Sequence, residues 1–383
     1  MKTPLPVAAS IAQRPGYGGH AWAFLHFVLG FEELGYSPIL IDRLSAEMAT
    51  DADGAPSPTA LEKGKKWFGE VTSSLGLSES SALLLDGGET LGIERERLRQ
   101  LVAAAPFVLD VMGFLEDPEL CEAAQLLVFL DVDPGFTQIW QETGEADLFG
   151  NHDRHITVGA NIGSPDCLIP TCGCDWIAIR PPVVLSRWPE SHPASDAFRS
   201  VATWRGPYDP VWYEGTKLGL RVHEFRGFAD LPGRVEAPFE VALDIDDADH
   251  EDAEALREKG WTLPDPAVVA GSLSSYQDFV RSSGAEISIA KNIYVDTQSG
   301  WFSDRSACFL ASGRPVLAQD TGWSGQLELE GLVPFTTLEE AVEGGRLILA
   351  DLPGRGEAAR SLAEDVFDSK KVLGGLLAEL DAG

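Results

Sequence analysis

The stretch SGWFSDRSACFLASGRPVLAQDTG, residues 299–322, decides the fold class of this chain. Ser303 is a favourable N-cap residue, and Gly313, with Pro315 two residues later, ends the helix that begins there. The segment EISIA (286–290) precedes this helix and the segment PVLAQ follows it, and both are typical of strands. A strand, a glycine-containing loop, a helix and a second strand form the repeating unit of a parallel α/β sheet. Such sheets bind ligands at the carboxyl ends of their strands, which places a candidate site at the loop before Ser303.

The N-terminal segment has the same arrangement. A strand (LPVAASIAQ) is followed by the glycine-rich loop RPGYGG (14–19), a helix predicted over 20–34, and the strand SPILID. Apolar residues recur every three or four positions along this helix, which predicts a face packed on a sheet. A segment rich in proline and serine (186–197) separates two halves that both alternate strands and helices. The sequence therefore predicts an α/β protein with two Rossmann-like parallel-sheet domains.

The predicted domains cover residues 1–187 and 188–365, because 383 residues fit two cores better than one. Residues 366–383 are predicted to form a helix that packs back on the N-terminal domain. A break in the helical pattern is expected near 367–369.

Composition limits the expected ligands and compartment. The formal net charge is −31 and the pI is about 4.4. A chain with this much negative charge repels nucleic acids and anionic membranes. We therefore expect no nucleic-acid partner. An anionic small ligand must instead meet a few placed arginines, helix N-termini and backbone amides. No apolar run predicts a transmembrane segment, and five cysteines suggest no disulfide framework, so we expect a cytoplasmic protein.

The glycine-rich loop is one candidate ligand site. Gly16, Gly18 and Gly19 permit close approach of the backbone, and the helix that opens at His20 points its amides into the same space. The spacing differs from the dinucleotide fingerprint G-x-G-x-x-G. A tight turn without a ligand is the alternative.

The helix that begins at Ser303 is the second candidate site. A diphosphate at this helix start is expected to meet backbone amides, the Ser303 hydroxyl and the Arg305 guanidinium, which can bind two oxygens at once. The alternative is a surface pair between Asp304 and Arg305, with Asp304 favoured simply by its place in the first helical turn.

Two aspartates follow a strongly apolar strand at VFLDVDPGFTQ (128–138). Asp131 and Asp133 resemble the metal-binding D-x-D motif of some transferases, and equally the nucleophile motif of haloacid-dehalogenase-like phosphatases, for which Lys291 could supply the basic residue. That motif continues with Gly-Thr, whereas Pro134 intervenes here. A loop of structural aspartates is the commoner interpretation.

Two further polar residues and a group of cysteines complete the candidates. Arg205 ends a strand of the second half, where the carboxyl-end rule places it at the same crevice. His223 is predicted to lie in a packing helix, either on the surface or beside a ribose or phosphate. The cysteines at 167–174 have the spacing C-x4-C-x-C, which matches no common zinc site, so buried free thiols are predicted.

These motifs resemble bacterial glycosyltransferases of the two-domain GT-B type, akin to glycosyltransferase families 1 and 4 and the spore-protein-like group. The segments that carry the resemblance are RPGYGGHAW, GFEELGYSPILID and SGWFSDRSACFLASGRPVLAQDTGWSG, and it spans nearly the whole chain. It implies two domains facing a cleft and a nucleotide-diphosphate sugar, such as a UDP-sugar, bound mainly by the C-terminal domain. It also implies a small-molecule or glycan acceptor held mainly by the N-terminal domain, and no metal or other cofactor.

The resemblance also implies roles for individual residues. Arg305 would neutralise donor phosphate, Ser303 would hydrogen-bond it, and the segment 320–322 would lie beside the donor sugar or phosphate. An inverting reaction needs a base, for which His20 and Asp133 are the candidates, whereas a retaining reaction needs none. The full predicted donor-binding set is Gly18, Gly19, Arg205, His223, Lys291, Ser299, Gly300, Ser303, Asp304, Arg305, Asp320, Thr321 and Gly322.

The sequence departs from the family 4 pattern at one point. Retaining members carry two glutamates seven residues apart around this helix, whereas Trp301 and Cys308 stand here. The acid that would hold the ribose is therefore missing. The predicted function is a hexosyl-type glycosyltransferase, and the alternatives are an inactive nucleotide-sugar binding protein and a phosphatase that uses Asp131.

Overall fold

The computed structural model describes residues 2–51, 54–206, 208–328 and 330–382. These residues form two large sheets, one of eight strands and one of six, together with a small two-stranded sheet. The elements of the first half are β1 (Pro4–Ala9), α1 (Gly18–Glu33), β2 (Ser37–Arg43), α2 (Pro58–Ser74), β3 (Ser81–Leu84), β4 (Thr90–Gly92), α3 (Arg95–Ala104), β5 (Val108–Val111), α4 (Pro118–Ala123), β6 (Leu127–Asp131), α5 (Phe136–Thr143), β7 (Arg154–Thr157) and β8 (Trp176–Ala178).

The second half begins at residue 198. Its elements are β9 (Phe198–Thr203), β10 (Val211–Tyr213), β11 (Thr216–Leu218), α6 (Val222–Gly227), α7 (Leu231–Val235), β12 (Phe239–Asp244), α8 (His250–Glu258), β13 (Trp261–Thr262), α9 (Pro266–Val269), α10 (Leu273–Arg281), β14 (Ala285–Ser288), α11 (Asn292–Asp296), α12 (Asp304–Ala311), β15 (Val316–Gln319), β16 (Leu332–Phe335), α13 (Leu338–Ala350), α14 (Leu352–Leu362) and α15 (Ser369–Ala382).

The first sheet has the strand order β4-β3-β2-β1-β5-β6-β7-β8. Neighbouring strands are parallel except β3 and β4, which form an antiparallel pair at one edge. Both faces of the sheet are covered, because Val7 and Ala8 of β1 enter different core clusters. Strands buried on both faces read as continuous apolar runs, which explains the sequence VFLD of β6.

The second sheet has the order β13-β12-β9-β14-β15-β16, and every neighbouring pair is parallel. Strands β10 and β11 form a separate antiparallel hairpin. In the first sheet β1 lies between β2 and β5, and in the second β9 lies between β12 and β14, so each strand order reverses beside the first strand of its half. The predicted α/β class with two Rossmann-like parallel sheets is confirmed.

Helix α1 is buried on several sides, although the sequence pattern predicted a single packed face. Eleven of its 16 residues are buried, because α10 and α15 contact it in addition to the sheet. The indole N–H of Trp22 donates to the Leu273 carbonyl at 3.2 Å, and the Trp22 ring meets the Trp188 ring edge-on. Trp188 also packs on Tyr276 of α10. A continuous core therefore joins the two halves.

The C-terminal segment contains α14, a π-helical turn (Ala363–Phe367) and α15. The interruption lies where the sequence pattern predicts a break. Ser369 and Leu373 lie against Gly30 of α1, where an added Cβ would approach Leu373 to 2.5 Å. The predicted domain limits at 187 and 365 stay predictions. None of the described helices has the length and apolar character to cross a membrane.

His26 is a buried residue of α1 that links this helix to the segment after β8. Its Nδ1 accepts a hydrogen bond from the Val184 backbone N–H at 3.1 Å, and its Nε2 lies 3.4 Å from the Cys308 Sγ. Burial disfavours the charged ring and lowers the pKa of His26 to about 3. The folded protein therefore holds this ring neutral.

Acidification is expected to destabilise the protein in part through His26. Its folded-state pKa lies below the usual value of 6.5, so the unfolded chain binds the extra proton. The contribution of the neutral His26 ring to the free energy of unfolding is fully present above about pH 6.5 and is lost as pH falls toward about 3. We expect His26→Asn, which retains an acceptor for the Val184 amide, to remove about 1 kcal/mol per pH unit from the wild-type slope in urea denaturation below pH 6. Equal slopes for the two proteins would contradict this account.

Candidate functional site

A cleft of about 770 Å³ lies between the carboxyl ends of the two sheets. The first half contributes residues that follow β1, β5 and β6, and the second contributes residues that follow β9, β12 and β14. The cleft therefore lies where the strand order of each sheet reverses. Open parallel sheets bind their ligands at such positions, because strand ends diverge there and leave room between loops.

The cleft is far less acidic than the chain as a whole. The sequence has 60 acidic and 29 basic residues, whereas the described residues that line the cleft include four of each sign and one histidine. The basic residues are Arg14, Arg221, Lys291 and Arg305, and the acidic residues are Asp133, Asp244, Asp265 and Asp304. This local balance favours an anionic ligand at a site within a strongly acidic protein.

Lys291 and Asp133 form an ion pair across the cleft. The Lys291 Nζ lies 3.1 Å from Oδ1 and 3.0 Å from Oδ2 of Asp133, which belongs to the other half of the chain. The same Nζ donates to the Tyr294 hydroxyl at 3.2 Å and lies 4.9 Å from the centre of the Phe136 ring. Burial lowers the pKa of Lys291, and the charge of Asp133 opposes that shift. The structure thus brings together two residues that the sequence assigned to different roles.

Arg221 provides a second fixed cation in the cleft. Its Nε donates to the Ile289 carbonyl at 3.1 Å and its Nη1 donates to the Thr203 carbonyl at 2.8 Å. These bonds hold the guanidinium at the carboxyl ends of β9 and β14. Burial lowers the pKa of Arg221 to about 10, and the charge of Arg305 acts in the same direction. Arg221 is therefore still charged at neutral pH.

Arg305 lies in the cleft wall, but its guanidinium already has protein partners. Its Nε lies 2.5 Å from Glu286 Oε1, and its Nη1 and Nη2 donate to the Val201 carbonyl and the Ser288 Oγ at 2.8 and 2.9 Å. Glu286 is fully buried; burial raises its pKa, and the charge of Arg305 opposes that shift. The guanidinium therefore ties α12 to β9 and β14, and its predicted contact with phosphate stays a prediction.

Ser303 and Asp304 both line the cleft at the start of α12. Ser303 occupies the N-cap position, as its residue type predicts, although its side chain makes no capping hydrogen bond. Burial raises the pKa of Asp304, and the neighbouring charge of Arg305 opposes this shift. The first turn of α12 thus faces the same space as Lys291 and Arg221.

The glycine-rich loop reaches across to the second half of the chain. The Gly18 N–H donates to the Ala270 carbonyl at 2.8 Å, and an added Cβ at Gly18 would lie 2.1 Å from the Ser272 carbonyl oxygen. Gly19 lines the cleft, where an added Cβ would meet the Tyr276 ring at 2.9 Å. Position 18 therefore requires glycine, because the backbones of the two halves approach too closely there for a Cβ atom.

Replacing Gly18 with alanine is expected to lower the free energy of unfolding by about 1–3 kcal/mol, the usual cost of forcing a methyl group into a packed site. The obstacle is a backbone carbonyl, which cannot rotate away as a side chain can. Gly69→Ala in α2 is the matched control, because no atom lies within 4 Å of its added Cβ. Chemical denaturation of both variants checks the prediction, and equal stabilities would contradict it.

His20 lines the cleft near the start of α1. Its Nε2 lies 2.6 Å from the Ser10 carbonyl oxygen, which can only accept, so Nε2 carries the ring proton. Burial lowers the pKa of His20 to about 4, and the charge of Arg14 acts in the same direction. The ring is therefore neutral at pH 7 with Nδ1 unprotonated, which is the form that a general base requires.

Several predicted residues lie outside the described lining of the cleft. Arg205 forms a bidentate ion pair with Asp249 at 2.6 and 2.5 Å, and 58% of its side chain is exposed. Thr321 donates to the Trp301 carbonyl at 2.6 Å, and Asp320 accepts from the Gly322 N–H, so both residues shape a turn. Their roles in donor binding stay predictions. The full set outside the lining is Gly18, Arg205, His223, Ser299, Gly300, Asp320, Thr321 and Gly322.

Asp131 is fully buried and does not line the cleft. Its Oδ2 accepts from the Gln138 Nε2 and the Thr157 Oγ1, each at 2.8 Å, and its Oδ1 accepts from the Asp133 backbone N–H at 3.1 Å. These bonds fix the loop that presents Asp133. A phosphatase nucleophile must reach its substrate, so the geometry favours the structural interpretation of Asp131.

Sequence reasoning missed Arg14, Arg221 and Tyr294, which all line the cleft. Arg14 is the one basic residue of the RPGYGG loop, which was a usable signal. Arg221 stands in the apolar stretch LGLRVHEF (218–225), and an arginine among apolar neighbours could have been recognised as buried and functional. Tyr294 gave no signal, because the carboxylate to which its hydroxyl donates belongs to Asp133 in the other half of the chain.

Comparison with known proteins identifies the architecture. No family model and no curated protein matches the sequence. Among solved structures, the chain is similar to AviGT4, a glycosyltransferase involved in avilamycin A biosynthesis, with 14% identity, a TM-score of 0.56, and coverage of 98% of this chain and 96% of that one. It is also similar to an α-glucosyltransferase in complex with UDP-glucose and DNA containing an abasic site, with 11% identity, a TM-score of 0.59, and coverage of 99% and 98%. These likenesses show that the chain has the GT-B glycosyltransferase fold.

The expectation of no nucleic-acid partner is wrong. An α-glucosyltransferase with the same fold, 11% identical over 99% of this chain, is solved in complex with DNA. Net charge describes the field of the whole surface, whereas an acceptor is held by local groups. The charge of −31 therefore does not exclude a nucleic acid.

Proposed function

We propose that the protein is a glycosyltransferase that moves a sugar, of the hexosyl type, from a nucleotide-diphosphate sugar to an acceptor hydroxyl. The observation that carries this proposal is the set of fixed cations at the carboxyl ends of β9 and β14, in a cleft between the two sheets of a GT-B fold. Fold alone does not establish function, so the proposal depends on the chemistry of this cleft.

The donor diphosphate is assigned to the space between Lys291, Arg221 and the start of α12. Lys291 and Arg221 supply positive charge from the second half, and the first turn of α12 supplies backbone amides. Arg14 contributes positive charge from the first half. Uridine is the proposed nucleoside, since the similar α-glucosyltransferases are solved with UDP or UDP-glucose.

The acceptor is assigned to the side of the cleft formed by the first half, and is proposed to be a small molecule or glycan with a free hydroxyl. His20 is the proposed base, because its neutral ring offers an unprotonated nitrogen at neutral pH. Asp133 is the second candidate, and it must first lose its ion pair with Lys291. The reaction is proposed to use no metal, in the cytoplasm, with which five free cysteines are compatible.

Titration calorimetry and product analysis together test the proposal. We expect wild-type protein to bind UDP or another nucleoside diphosphate with micromolar affinity, and to transfer or hydrolyse the sugar of the matching donor in the presence of EDTA. The acceptor panel should include phenols, sugars and DNA. Binding without transfer to any acceptor or to water would favour the non-catalytic binding protein. No binding of any nucleoside diphosphate would contradict both functions.

A further inference from the structure

Tyr294 contacts both members of the ion pair that spans the cleft. Its hydroxyl accepts a hydrogen bond from the Lys291 Nζ at 3.2 Å and donates one to the Asp133 carboxylate. A phenol has one proton to donate and lone pairs to accept, so this hydroxyl satisfies both neighbours at once. Lys291, Tyr294 and Asp133 therefore form a connected chain of hydrogen bonds from the second half of the protein to the first.

Packing fixes the position of this hydroxyl. Tyr294 is 2% exposed, and its ring stacks on the Trp301 ring with centroids 4.2 Å apart and an angle of 19° between the planes. It lies three residues after Lys291, at the start of α11, so the two side chains project from the same helical turn. The hydroxyl cannot move far without displacing Trp301.

The Lys291 ammonium needs such a fixed partner. A lysine side chain is a flexible four-carbon stem with a compact charge, and a free ammonium has many rotamers available. Both carboxylate oxygens of Asp133 accept hydrogen bonds from Nζ, and Tyr294 adds a third contact that further restricts where Nζ lies. Burial lowers the pKa of Lys291, the charge of Asp133 raises it, and the charges of Arg221 and Arg14 lower it further.

From this geometry we infer that Tyr294 is a positioning residue: its hydroxyl holds the Lys291 ammonium and the Asp133 carboxylate at a set separation, so that Lys291 meets the donor diphosphate in one orientation. The inference rests on the proposed function and deepens it by naming a residue that contacts the phosphate only through Lys291. The expected consequence is a cleft already arranged for the diphosphate before the ligand arrives.

Tyr294→Phe tests this inference, since it keeps the ring on Trp301 and removes only the hydroxyl. We expect the Kd for UDP and for inorganic pyrophosphate, measured by calorimetry, to rise about tenfold, the effect of losing one hydrogen bond to a charged group. The KM for the sugar donor should rise in parallel, while the urea midpoint and circular dichroism stay close to the wild type. A purely structural role would instead lower the urea midpoint and leave affinity per folded molecule unchanged.

Tyr36→Phe is the control, because Tyr36 packs on Phe31 and does not line the cleft. Equal UDP affinities for the two variants and the wild type would overturn the role of Tyr294 and leave the proposed function standing. Failure of wild-type protein to bind either UDP or pyrophosphate would overturn both. If Tyr294→Phe does not fold, Trp301→Ala, which removes the ring on which Tyr294 stacks, must weaken pyrophosphate binding; unchanged or tighter binding would reject the inference.

Discussion

Replacing Arg305 with alanine is expected to lower the free energy of unfolding by about 3–5 kcal/mol, the usual cost of breaking a buried ion pair from one side. The variant leaves the Glu286 carboxylate without its cation, and Glu286 is fully buried. It also removes donors from the Val201 carbonyl and the Ser288 hydroxyl, so α12 loses its connection to β9 and β14. Urea denaturation of the variant and the wild type measures the difference.

Two further variants distinguish the loss of the buried ion pair from the general effect of removing a surface charge. Arg205→Ala removes an arginine whose side chain is 58% exposed, and solvent screening should make its effect far smaller. The double variant Arg305→Met with Glu286→Leu removes both charges, and it should recover most of the lost stability because no unpaired charge remains. A small effect of Arg305→Ala, similar to that of Arg205→Ala, would show that the guanidinium is not structural and would return it to the role of a phosphate ligand.

Replacing Lys291 with methionine is expected to weaken UDP binding about a hundredfold or more, which corresponds to about 3 kcal/mol or more. Methionine replaces the lysine stem with an unbranched apolar side chain, but it supplies no charge for the diphosphate and removes the ammonium from the Phe136 ring. It also leaves the Asp133 carboxylate uncompensated in the cleft, and this negative charge repels the incoming phosphates. Calorimetric titration with UDP measures the change.

Lys259→Met is the control for Lys291→Met. Lys259 pairs with Asp230 at a side-chain exposure of 41% and does not line the cleft, so its loss should not alter UDP affinity. Equal affinity in both variants would place the diphosphate elsewhere and would remove the main support for the proposed function. A circular dichroism spectrum of each variant must first show that it is folded.

The alternation of strands and helices was predictable because it depends on local pattern. The strands EISIA and PVLAQ, the helix between them and the helix after RPGYGG are all present with boundaries shifted by one or two residues, whereas β1 ends four residues before the predicted strand LPVAASIAQ does. Helix α2 (Pro58–Ser74) was missed, although its buried residues Trp67, Phe68 and Val71 recur at the spacing of an amphipathic helix.

The candidate site was predicted only in outline. The glycine-rich loop after β1 and the loop before α12 were recognised from their glycines and from the helix starts that follow them. Of the predicted residues, His20, Asp133, Lys291 and Arg305 do line the cleft. The sequence did not predict which protein groups pair with each cation of the cleft. Arg305 was expected at phosphate from its helix position, whereas its guanidinium is directed to Glu286, 19 residues earlier in the chain.

The sequence by itself determined the α/β class, the two halves and the strand ends at which the cleft lies, because hydrophobic period, capping residues and glycine positions act within a few neighbouring residues. Only the tertiary structure decided the partners of the charged groups: Lys291 with Asp133 and Tyr294, Arg305 with Glu286, and Gly18 against Ser272. An ion pair or a close backbone approach depends on distances between segments far apart in the chain, and a sequence pattern carries no information about those distances until the two sheets are placed face to face.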